Sequence, residues 1–160
     1  MIEHRSIRAT RTAGLRGGKC PPGPPLRKGD AMPVSKLTDL PAGGGGRWPA
    51  TADGFRSIRW GDFEVGFTTA GPLDCTTVYA GLPGGVCPCP HWGYVFTGRF
   101  RATFPDRDRP DEVAEAGDVY YFEPGHVLVY DEPSEVLEFN PSEALTPLMD
   151  HIQRSADGPS

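Results

Sequence analysis

After residue 47 this chain is a succession of short β-like runs cut by Gly, Pro and acidic turns, and that rhythm confines it to sheets. Phe63, Val65 and Phe67 alternate with Glu64, Gly66 and Thr68, the two-residue period of a strand with one buried face. Cys75 to Ala80 is β-branched and aromatic and reads as a further strand. Tyr94 to Phe104 turns at Gly98 and then sets Phe100, Ala102 and Phe104 against Arg99, Arg101 and Thr103. Pro105 to Glu112 reads as a loop. Val119 to Phe122, Val127 to Tyr130 and Val136 to Phe139 follow, divided by Pro124-Gly125 and by Asp131-Glu132-Pro133-Ser134. Many short strands at close spacing predict an all-β sandwich or barrel. One helix is expected at the end: Ser142 can cap it, and Leu145, Leu148, Met149 and Ile152 form one apolar stripe. That stripe is expected to close one face of the β-structure.

Composition sets the outer limits. At 160 residues the chain suits one domain with tails. Its 21 Gly and 18 Pro fall mainly before residue 50 and at turns, so they do not signal low complexity throughout. Residues 1–31 carry seven Lys/Arg against Glu3 and Asp30, a balance of +5, while the whole chain is −5. The body is therefore acidic, which argues against a nucleic-acid surface. Residues 1–49 are expected to be a disordered basic and Gly/Pro-rich extension, with the Gly run at 41–47 as a flexible joint. The domain is expected over 50–154, with 155–160 as a tail. Met32-Pro33-Val34-Ser35 resembles a natural start, so residues 1–31 are read as a product of start-codon choice. No signal-like or membrane-spanning apolar run is visible. The expected location is cytoplasmic, where the four Cys stay reduced.

Two segments carry chemistry. Cys87-Pro88-Cys89-Pro90-His91 crowds two thiols and an imidazole into five residues, and His126 follows the Pro124-Gly125 turn. Residues two or four apart on an extended strand share a face, so Cys87, Cys89 and His91 are expected to point together. Thiolate and imidazole are ligands preferred by zinc and other borderline-soft cations. The expected metal ligands are Cys87, His91 and His126, with Cys89 a weaker fourth. Trp92, Tyr94, Tyr121 and Glu138 are expected to line a substrate pocket. Competing readings keep the cysteines as small buried hydrophobes and the aromatics as core or wall.

The two segments resemble the paired motifs of the cupin superfamily. Gly117-Asp118 and Pro124-Gly125 match its second motif, and Gly98 matches the turn of its first. Counting back from Gly98, His91 stands where that family usually has Glu. Cys87 stands at the second His slot and Gly85 at the first. His126 precedes the usual third His slot, which holds Leu128. The resemblance covers roughly residues 55–141. It implies a jelly-roll β-barrel, a divalent metal (zinc or iron) and a homodimer. It also implies a small molecule bound inside the barrel, converted by isomerase, cyclase or oxygenase chemistry. The alternative is a module that binds a small ligand without metal or catalysis.

Overall fold

The computed structural model describes residues 33–48 and 54–156. The expectations for residues 1–31, for Met32 as a start and for the last four residues concern positions outside that range. The described residues form nine strands: β1 (Phe55–Trp60), β2 (Phe63–Ala70), β3 (Leu73–Asp74), β4 (His91–Thr97), β5 (Arg99–Thr103), β6 (Glu112–Glu115), β7 (Val119–Phe122), β8 (Val127–Tyr130) and β9 (Ser134–Pro141). They form two antiparallel sheets, ordered β1-β2-β9-β4-β7 and β3-β8-β5-β6. Setting aside the edge strand β1, this interleaving is that of two Greek keys, the jelly-roll order. The expected all-β, cupin-like architecture is therefore present as two sheets.

The sheets meet through aromatics. Phe100 on β5 stacks on Tyr130 of β8 at 5.1 Å and meets Tyr120 and Phe122 of β7 edge-on at 5.2 and 5.5 Å. Phe100, Val95 and Val136 are fully buried, and close packing at such positions supplies the main apolar driving force. The hairpin between β4 and β5 depends on Gly98, whose φ is +82°. A Cβ there would lie 2.2 Å from the Pro133 carbonyl oxygen, so no side chain fits.

Three expectations need correction. Residues 37–48 are not a loose extension: Leu40 and Trp48 are buried, and Pro41 accepts a hydrogen bond from the Ser57 amide at 2.9 Å. Gly43 to Gly46 turn there with φ between +53 and +84°, a left-handed run open only to glycine. One compact unit spans Pro33–Ser160. Cys75 to Ala80 is a chain of turns rather than a strand. The Asp74 carboxylate accepts from the Thr76 amide and hydroxyl at 2.9 and 2.6 Å, a local bond that competes with a sheet ladder. Strands β1 and β6 were not expected from the sequence.

The helix runs over Ser142–Ala156, with Leu145, Leu148 and Met149 buried. Its start is held by the Ser142 amide donating to the Asp62 carbonyl at 2.8 Å. The Ser142 hydroxyl makes no hydrogen bond, so the expected side-chain cap is absent.

Candidate metal centre

Backbone pairing sets the first two members of the site side by side. The Cys87 amide donates to the His126 carbonyl at 2.8 Å, and the Gly125 amide returns a bond to the Cys87 carbonyl at 2.8 Å. This isolated bridge pins Cys87 against His126. Four residues later β4 begins at His91, whose Nε2 lies 3.3 Å from the Cys87 sulfur. The ligand atoms of Cys87, His91 and His126 all lie within 4.8 Å of one another, and all three residues are buried.

Each imidazole is aimed by a partner on its far nitrogen. His91 Nδ1 donates to Asn140 Oδ1 at 2.6 Å. His126 Nδ1 donates to the Glu123 carbonyl at 2.6 Å. A carbonyl or amide oxygen only accepts, so both rings carry their proton on Nδ1 and leave Nε2 bare, that of His91 facing the thiol. Metal-bound histidines are held in this way. His126 Nε2 is fully buried and has no hydrogen-bond partner, a costly state for a polar atom. A divalent cation at the shared point would satisfy it, so the residues present fit a metal.

Electrostatics favours neutral groups here. Burial first, and then the neighbouring His91, lowers the His126 pKa from 6.5 to about 4. Burial pushes the Cys87 thiol up to about 12, against the opposing Cys89 amide, which lies 3.4 Å from the Cys87 sulfur. An unassisted Cys87 is thus a thiol at neutral pH and no activated nucleophile. A metal would displace its proton, as metal sites do.

The other expected residues divide. Cys89 is buried but stays outside the trio. The chain bends between Pro88 and Pro90, and its thiol donates instead to the Pro90 carbonyl at 3.3 Å. Burial raises its pKa. Trp92, Tyr94 and Tyr121 stand on the outer face of the five-stranded sheet, each at least a third exposed. Trp92 stacks on Tyr121 at 4.8 Å, along a surface groove that also touches Val119 and Phe139. The pleat sets these three on the face opposite His91: Trp92 adjoins the inward His91 and must point the other way.

Glu138 does face inward. Together with His91 it lines a cavity of about 120 Å³, walled by Phe55, Tyr79 and Tyr130 and by Leu145, Leu148 and Met149 of the helix. Asn140, Tyr79, Tyr130 and Thr68 were missed as site residues. The alternation Ser134, Val136, Glu138, Asn140 along β9 is the signal that could have found Asn140. Among the described residues no helix is long and apolar enough to cross a membrane.

No family model matches the chain, and no curated protein matches it. Solved structures do. The chain is similar to a Cupin 2 conserved barrel domain protein from Salinispora arenicola, at 18% identity and TM-score 0.43, covering 77% of this chain and 97% of that one. It is similar to a double-stranded β-helix domain protein from Klebsiella pneumoniae at 15% identity and TM-score 0.42, covering 69% and 91%. A cupin-2 domain containing protein from Shewanella frigidimarina matches at 16% and TM-score 0.38, covering 54% and 78%. The cupin-like jelly-roll fold stated here rests on the chain's own strand order.

Proposed function

We propose that this protein binds one divalent transition metal, zinc or iron, through Cys87 Sγ, His91 Nε2 and His126 Nε2, and acts on a small molecule held in the adjoining cavity. The observation that carries this reading is the pair of imidazoles whose Nδ1 protons are tied to Asn140 and Glu123. That leaves both Nε2 atoms without a proton, in a cluster whose ligand atoms lie within 4.8 Å of one another. A structural core histidine needs no such convergence. A metal with three protein ligands supplies Lewis acidity at an open position.

The chain's own residues would do the rest. Asn140 and the Glu123 carbonyl hold the two rings in one tautomer. Leu145, Leu148 and Met149 of the C-terminal helix give the cavity an apolar wall. Glu138, flanked by the Tyr120 and Thr68 hydroxyls, offers the cavity its carboxylate. Isomerisation, cyclisation and oxygenation all suit a metal beside an aromatic cavity, and Glu138 can serve the first two as a proton carrier.

A second reading, a ligand-binding module without metal, is favoured by the fact that the cavity is separately walled by apolar side chains. Cobalt(II) loading distinguishes the two. The account expects a thiolate-to-cobalt charge-transfer band in the native protein, lost in Cys87→Ser. It also expects cobalt affinity to fall by at least about ten-fold in His91→Ala and His126→Ala, with the β-sheet spectrum retained. Native cobalt binding in both His variants would refute the assignment.

A further inference from the structure

The cavity beside the candidate metal centre holds a buried carboxyl group that no side chain among the described residues pairs with a cation. Glu138 is 5% exposed. One of its oxygens accepts from the Tyr120 hydroxyl at 3.1 Å, and the other from the Thr68 hydroxyl at 3.1 Å. Both donors are neutral. Among the described residues no Lys, Arg or His nitrogen pairs with Glu138, and none but His91 reaches the cavity wall. Both His91 nitrogens are committed elsewhere, to Asn140 and towards Cys87. Buried carboxylates are normally paired with a cation, because desolvation is otherwise uncompensated.

The rest of the lining suits a cation. Phe55, Tyr79 and Tyr130 are buried aromatics on the cavity wall, and aromatic faces attract positive charge. Burial raises the Tyr79 and Tyr130 pKa values well above the ordinary tyrosine range, so the phenols stay neutral. Each carboxylate oxygen can accept a second hydrogen bond. Leu145, Leu148 and Met149 give the opposite wall an alkyl surface. A volume of about 120 Å³ admits a molecule of at most about ten non-hydrogen atoms.

We infer that the cavity binds a small alkylammonium ion, with Glu138 as its counter-charge and the aromatic wall around its cationic head. This rests on the reading of the cavity as the ligand site. A carboxylate ligand would meet Glu138 as a like charge, and an alcohol would leave the charge unbalanced.

The test is calorimetric titration of the full chain, as isolated at neutral pH, with n-butylammonium chloride and with 1-butanol, which match in size. The ammonium ion should bind at least about ten-fold more tightly, since a hydrogen bond to a charged group is worth that factor. Glu138→Gln should bring the two affinities within about three-fold, because the amide oxygen keeps an acceptor but loses the charge. Three results would overturn the inference: equal affinities in the native protein, a preference unchanged in Glu138→Gln, or no binding of either probe. Metal content is measured on the same batches. Bound metal without ammonium preference sinks this inference alone, and preference without metal sinks the metal reading alone.

Discussion

His126 concentrates the electrostatic consequences of the site in one residue. It is fully buried, its Nδ1 proton is committed to the Glu123 carbonyl, and its pKa falls to about 4. The unfolded chain takes up this proton near pH 6.5, whereas the folded chain refuses it until about pH 4. Folding is then favoured above the unfolded pKa and loses that contribution as pH falls from 6.5 to 4. The metal-stripped protein should lose denaturant stability across that window, and His126→Leu should flatten the profile there. An unchanged slope in the variant would show that another group titrates.

Elements place these residues by register, and register explains what could be read in advance. Strand β9 alternates strictly, so Val136 and Glu138 were legible as inward, and Asn140 shares their face. Strand β4 alternates in the same way, and its parity puts Trp92 and Tyr94 on the face opposite His91, as that of β7 does Tyr121 opposite Phe122. Strands β1 and β6 escaped notice because Arg56 and Arg59, and Glu112 and Glu115, dilute a weak alternation. At Cys89 the prolines on both sides bend the chain out of the extended form that the face argument assumed. Asn140 is predicted to be a positioning residue. Asn140→Ala should weaken metal binding by about 10–100-fold, as loss of an outer partner does. Asn140→Asp, which keeps the acceptor, should restore most of it. If both variants bind alike, the bond to His91 has no orienting role.

At the scale of the molecule, the five-stranded sheet has two unlike faces. The inner one carries His91, Glu138 and Asn140, and the outer one exposes Phe63, Trp92, Tyr94, Phe96, Val119, Tyr121 and Phe139. A continuous apolar face of this kind marks an association surface, and we propose that a second copy of the chain covers it, as the cupin resemblance implies. Sedimentation should give twice the chain mass, with Val119→Asp shifting it to the monomer. A native monomer at micromolar concentration would contradict the proposal. The most direct test of the whole account is elemental analysis of the untagged protein, purified without added metal. Close to one zinc or iron per chain is expected, lost in His126→Ala. A folded protein with no transition metal would contradict it and leave Cys87, His91 and His126 a hydrogen-bonded core cluster.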